Sequence, residues 1–139
     1  MMMNTISAVD KMTSLLHSTK RILIVEDQSM VSEMLKFILE SKGYETVIAR
    51  DFLSAQEQLE YETFTLVLLD LNLPNGNGLD LLTHARTNLR LNTPFIILSA
   101  LKQEMNILSG LNLGANDYIT KPFSPRELLL RINKVLESN

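Results

Sequence analysis

Leu66-Val67-Leu68-Leu69-Asp70-Leu71-Asn72-Leu73-Pro74-Asn75-Gly76 is the stretch around which the rest of the chain reads. Four consecutive apolar residues bounded by turn formers match a strand buried on both faces, as in a parallel sheet. Asp70 ends that strand. A carboxylate at the carboxyl end of such a strand sits on the rim where open α/β sheets bind their ligands.

Working outward, the same pattern recurs on both sides. Ile22-Leu23-Ile24-Val25 is a β-branched apolar run ended by Glu26-Asp27. From Ser29 the period changes: Val31, Met34, Leu35, Ile38 and Leu39 fall on one helical face, and Lys42-Gly43 closes the helix. Thr46-Val47-Ile48-Ala49 is a weaker strand, followed by a helix over about residues 52–61. Beyond the Asp70 turn, residues 79–88 predict a helix with Leu79, Leu82 and Ala85 inward, and Pro94 opens the strand Phe95-Ile96-Ile97-Leu98, ended by Ser99. Residues 103–113 carry a helical pattern stopped by Gly114, and Tyr118-Ile119-Thr120 is a short strand ended by Lys121-Pro122. Ser124-Pro125-Arg126-Glu127 is a helix start with N-cap, first-turn proline and capping-box glutamate, leading into Leu128, Leu129, Ile132, Val135 and Leu136.

Five βα units predict an α/β fold with a five-stranded parallel sheet and helices on both faces. In a flavodoxin-like order, 2-1-3-4-5, the weaker second and fifth strands become the edges. The chain divides into an N-terminal extension, residues 1–19, and a domain over 20–139. Ile6, Val9, Met12 or Thr13, and Leu16 give the extension a broken helical spacing, so it is expected outside the folded core.

Composition narrows the function. The chain has 139 residues, 45% hydrophobic and 21% charged, which suits one globular domain and argues against a wholly disordered chain. Without cysteine there are no disulfides, thiolate metal sites or cysteine nucleophiles. The net charge of −3 and the lack of a dense Lys/Arg run argue against a nucleic-acid-binding face. No apolar stretch approaches a membrane span, and the N-terminus lacks the continuous apolar core of a signal peptide. A soluble cytoplasmic location is expected.

All strands but the second end in a chemically useful group: Glu26 and Asp27, Asp70, Ser99, and Lys121. In a right-handed parallel sheet these share one rim. Three acids packed together need a cation or raised pKa values. A hard divalent ion with oxygen ligands suits them, and Mg²⁺ typically takes one or two carboxylates, waters and a phosphate oxygen. With Lys121 adding an ammonium, the set has what phosphoryl transfer to an aspartate needs. Ser99 has no histidine in a triad arrangement and reads as a hydrogen-bonding hydroxyl. His17 and His84 lack partners at metal spacing and are expected at the surface. Gly76-Asn77-Gly78 is a turn and not a phosphate loop, since no Walker lysine follows. The methionines are expected to fill the core.

Ile-Leu-Ile-Val-Glu26-Asp27, Leu-Val-Leu-Leu-Asp70-Leu-Asn-Leu-Pro74 with Gly78, Ile-Ile-Leu-Ser99-Ala100, and Gly114-Ala-Asn-Asp-Tyr118-Ile-Thr-Lys121-Pro122-Phe123 together resemble a response-regulator receiver domain of two-component signal transduction (the CheY-like superfamily), over roughly residues 20–138. The resemblance implies that Asp70 accepts a phosphoryl group from a phosphohistidine on a sensor histidine kinase or histidine phosphotransfer protein. It implies Mg²⁺ bound by Asp27, Asp70 and the Asn72 backbone carbonyl, with Glu26 acting through water. Lys121 contacts the phosphoryl oxygens, Ser99 and Tyr118 switch position, Lys121-Pro122 is cis, and Asn72 and Leu101 tune phosphoryl lifetime. Glu26 departs from many relatives, which carry Asp. The fourth helix, fifth strand and fifth helix, with Ile107, Leu111 and Tyr118, are the implied surface for a downstream target or homodimer.

Such a chain is a signalling phosphoacceptor, catalysing only its own phosphorylation and dephosphorylation. A stand-alone receiver or relay is favoured. Also open are a receiver excised from a DNA-binding regulator and a phosphorylation-independent pseudo-receiver. A Mg²⁺-dependent phosphohydrolase is disfavoured because Asn72 stands where such enzymes place a general acid.

Overall fold

The run Leu66-Val67-Leu68-Leu69 is buried throughout, and the strand extends to Asp70. The computed structural model describes residues 20–100 and 104–138; the expectations for residues 1–19 (His17 among them) and for Leu101 lie outside these. Strand β1 is Arg21–Val25, β2 Glu45–Ala49, β3 Leu66–Asp70, β4 Phe95–Ala100 and β5 Asp117–Lys121. Helices α1 (Ser29–Glu40), α2 (Phe52–Tyr61), α3 (Gly78–Thr83), α4 (Glu104–Asn112) and α5 (Pro125–Ser138) alternate with them. The sheet is parallel throughout, in the order β2-β1-β3-β4-β5, as the strand composition predicts.

Alternation along each strand divides the core into two layers. Ile24, Leu68 and Ile96 pair in register and point to the layer closed by Leu35, Ile38 and Leu39 of α1 and Leu128, Ile132 and Val135 of α5. Val25, Leu69 and Ile97 point the other way, to Ala55 and Leu59 of α2 and Leu81, Leu82 and Ala85 of α3. Helix α4 joins this second layer at Gly110, where an added Cβ would collide with Ile97 Cδ1. A larger residue there would oblige the tip of the Ile97 side chain to move.

Local rules set the boundaries. Gly43 and Gly114 take positive φ, 91° and 112°, just past α1 and α4. Ser124 Oγ accepts from Glu127 N at 3.1 Å to cap α5.

Five expectations need correction. Met34 is 41% exposed, and the buried stripe of α1 is displaced to include Ser32, which is fully buried. Arg50, just past β2, makes that burial tolerable by donating to Ser32 Oγ at 2.8 Å. Nor do the described methionines fill the core: Met30 and Met105 are 85% and 75% exposed, and branched aliphatics take the interior. On α3, Leu81 is buried and Leu79 only half-buried, and the predicted helix over 79–88 is α-helical only to Thr83. From His84 to Asn88 it widens into a π turn, with Leu89 N donating to His84 O at 3.1 Å. His84 is half-buried, since α2 and α3 lie side by side; its Nε2 is 3.4 Å from Glu60 Oε1 and from Gln56 Nε2.

Arg86 sits within that π turn and ties three segments together. Its guanidinium donates to Leu91 O and Thr93 O at 2.8 Å, to Gly114 O at 2.9 Å and to Asn116 Oδ1 at 3.2 Å, and lies 5.0 Å from the Phe95 ring centroid. Burial lowers its pKa below the usual arginine value. None of these acceptors carries a formal charge.

Candidate functional site

One position past the paired Val25 and Leu69, the adjacent central strands deliver Glu26 and Asp70 to the same rim. The sheet is deep here: Glu26 is fully buried and Asp70 is 5% exposed, while Asp27 faces solvent. Carboxylate oxygens of Glu26, Asp27 and Asp70 all lie within 4.8 Å of one another. Lys121 arrives from the end of β5, paired with Ala100 of β4. Its ammonium donates to Glu26 Oε2 at 2.8 Å and to Asp70 Oδ2 at 3.2 Å.

Backbone donors complete the carboxylates' partners. Asn72 N donates to Asp70 Oδ1 at 3.0 Å and Gln28 N to Glu26 Oε1 at 3.2 Å. The Lys121–Pro122 peptide is cis. A cavity of about 290 Å³ lies over the acids, lined by Asp27, Gln28, Asp70, Asn72, Ala100 and Lys121.

The electrostatics follow from burial. Desolvation raises the Glu26 pKa, Asp70 nearby adds to the rise, and the Lys121 hydrogen bond only partly offsets it. Burial by itself would lower the Lys121 pKa. The hydrogen bond to Glu26 and the negative charges of Asp70 and Glu26 outweigh it, so Lys121 titrates above the ordinary lysine value. The pocket therefore holds its cation firmly and has a carboxylate excess over it. Three hard oxygen donors this close suit Mg²⁺, with Asp27 on the solvent side.

Ser99 is buried on β4, opposite Thr120, and its hydroxyl donates to Ala100 O at 3.3 Å. Tyr118 pairs with Ile97, one register before Asp70 and three before Lys121, and packs half-buried against the core. The Arg131 guanidinium, bound to Asp117 at 3.0 Å, lies 5.9 Å from its ring centroid. The structure thus gathers Glu26, Asp27, Asp70 and Lys121 into one cluster, with Ser99 on the neighbouring strand and Tyr118 further in. Glu26 as the nearer partner of Lys121 was not legible from the sequence, where it reads as one acid of a metal set. Arg50, which links the end of β2 to Ser29, Ser32 and Glu33 of α1, was missed altogether, because its partners lie 17–21 residues away.

Fold and rim together define a receiver. The response regulator receiver domain model matches residues 22–133, and the chain belongs to that family. It is 43% identical over 118 residues to the phosphate regulon transcriptional regulatory protein PhoB of Escherichia coli, covering 84% of this chain and 52% of that protein. With the sensory transduction protein RegX3 of Mycolicibacterium smegmatis it shares 41% over 115 residues, covering 83% and 50%. The chain thus spans about half the length of these curated relatives. A CheY-like receiver domain from Methanospirillum hungatei superposes with a TM-score of 0.81 at 38% identity, covering 86% of this chain and 95% of that one. The acidic cluster occupies the pocket in which receiver domains bind Mg²⁺. Among the described residues no helix is long and apolar enough to cross a membrane.

Proposed function

We propose that this chain is the phosphoacceptor of a two-component or phosphorelay system, with Asp70 taking a phosphoryl group from a phosphohistidine on a sensor histidine kinase or phosphotransfer protein. The observation that carries the reading is Lys121, whose ammonium reaches from the far strand to touch both Asp70 and the buried Glu26. An ammonium held there meets the charge of an arriving phosphoryl group.

In the transfer, an Asp70 carboxylate oxygen bonds to phosphorus as the donor's P–N bond breaks. The bond pair stays on the imidazole nitrogen, and the ring leaves neutral when its other nitrogen carries a proton. The product on Asp70 is an acyl phosphate. Asp27, Asp70 and the Asn72 carbonyl, with Glu26 through water, would hold Mg²⁺, which supplies neutralising charge to the phosphoryl oxygens. The Asn72 amide orients the Asp70 carboxylate, while Lys121 turns from Asp70 to the phosphoryl group. Ser99 then hydrogen-bonds the phosphoryl group and Tyr118 moves inward. Asn72 and Leu101, two residues beyond Asp70 and Ser99, tune its lifetime. Turnover is limited to the chain's own phosphorylation and dephosphorylation, and a partner kinase of this kind implies a cytoplasmic location.

The switch alters the face formed by α4, β5 and α5, which binds a downstream target or a second copy. Supporting this, α4 carries Met105 and Leu108, 75% and 53% exposed, and Tyr118 of β5 is half-buried. The test is intact mass after incubation with Mg²⁺ and acetyl phosphate, beside Asp70→Asn. One Mg²⁺-dependent phosphoryl adduct, absent in the variant, is expected. No adduct, with acetyl phosphate or with a phosphorylated kinase domain, would leave a binding module of receiver fold.

A further inference from the structure

Residues 72–77 leave Asp70 as a minimal antiparallel hairpin, with Asn72 opposite Asn77 and Leu73 opposite Gly76. Two pairs are far too few to hold a hairpin by themselves in water. Yet Asn72 must stay in place, since its amide binds the Asp70 carboxylate. Leu73, 9% exposed, anchors one strand in the core layer. The other strand rests on Phe52: a Cβ added to Gly76 would lie 2.6 Å from Phe52 Cγ and Cδ2 and 2.7 Å from its Cβ. These atoms are the root of the side chain, which cannot swing aside as a flexible tip would. The backbone at Gly76 therefore lies directly on the ring.

Phe52 is itself fixed. It opens α2, whose first turn is pinned by a capping box in which Ser54 N donates to Asp51 Oδ1 at 2.8 Å and Asp51 N to Ser54 Oγ at 3.4 Å. Its ring packs against the core, whereas the next residue, Leu53, is 62% exposed. At the hairpin's far end, a Cβ on Gly78 would lie 2.8 Å from the carbonyl oxygen of Asp70. Held at both ends, the hairpin has no room to shift without disturbing Asn72 and Asp70.

We propose that Phe52 is a positioning residue for the phosphoacceptor loop, propping the 72–77 hairpin through Gly76 so that Asn72 stays aligned on Asp70 for Mg²⁺ binding. This rests on the phosphoacceptor reading above. Mg²⁺ titrations by calorimetry on Phe52→Ala, Phe52→Leu, Gly76→Ala and the Phe52→Ala/Gly76→Ala double variant test it, with Leu53→Ala as control. Phe52→Ala and Gly76→Ala are each expected to weaken Mg²⁺ affinity about tenfold, in the range for residues that orient metal ligands. Phe52→Leu restores most of the loss. The double variant loses less than the product of the singles, because the added methyl enters space the ring vacates. Phosphorylation by acetyl phosphate should slow at limiting Mg²⁺ and recover at saturating Mg²⁺. A cooperatively folded Phe52→Ala protein with wild-type Mg²⁺ affinity would overturn the proposal while leaving the phosphoacceptor reading intact. A wild-type chain that neither binds Mg²⁺ nor takes up phosphate would overturn both.

Discussion

Lys121 donates to two carboxylates at once, and one of them, Glu26, is fully buried. Such a pair says little about net stability, because desolvation consumes most of the attraction. Its value is positional: the ammonium stands where phosphoryl charge arrives. Lys121→Ala is expected to slow phosphoryl uptake from acetyl phosphate about 10²–10³-fold, the usual loss when one charge-stabilising donor is removed. Uptake near the wild-type rate, followed by intact mass over time, would remove Lys121 from the mechanism. Arg86 is the opposite kind of residue, remote from the rim and structural. Arg86→Met would strip Leu91 O, Thr93 O, Gly114 O and Asn116 Oδ1 of a charged donor. A loss of about 3 kcal/mol in urea unfolding is expected, with Mg²⁺ binding unchanged.

Among the elements, α2 bears on the site through its start, where Phe52 underlies Gly76. Its N-cap Asp51 has a lowered pKa, first through the Ser54 backbone hydrogen bond and then through the Ser54 side chain. A carboxyl whose folded pKa lies below its unfolded value stabilises the fold above the unfolded pKa. That contribution is lost as pH falls through the folded pKa. Asp51→Ala should therefore lower the melting temperature at neutral pH, and the gap to wild type should close in acid as the Asp51 carboxylate is protonated. A gap unchanged down to pH 2.5 would deny the cap its charge-dependent share. Helix α3 shows how an element departs from its periodicity: its pattern runs on to Asn88, but Arg86 reaches the 91–93 and 114–116 segments from a widened π turn.

At the scale of the whole molecule, β3 is paired on both sides and buried on both faces, so every layer depends on it. Leu68→Ala removes packing from the layer shared by α1 and α5, and a loss of about 2–5 kcal/mol is expected by chemical denaturation. Amide exchange should be slowest in β1, β3 and β4 and faster in the edge strands β2 and β5, where one side of the ladder is unpaired. Equal protection in β2 and β3 would contradict that hierarchy.

Fold class, strand order and the rim acids were legible in the sequence, because apolar runs, turn residues and capping boxes act over a few residues. Asp70 at the end of Leu66-Val67-Leu68-Leu69 declares its own place. Sequence alone did not show that Ser32 is buried on α1, because its partner Arg50 lies 18 residues away. Nor could it show that Lys121 sits nearer Glu26 than Asp70 across a separation of 95 residues, or that Phe52 underlies Gly76. Local propensity is written in neighbouring residues. Which buried groups pair, and which side chain props which loop, depends on contacts that exist only once the sheet has closed its two layers.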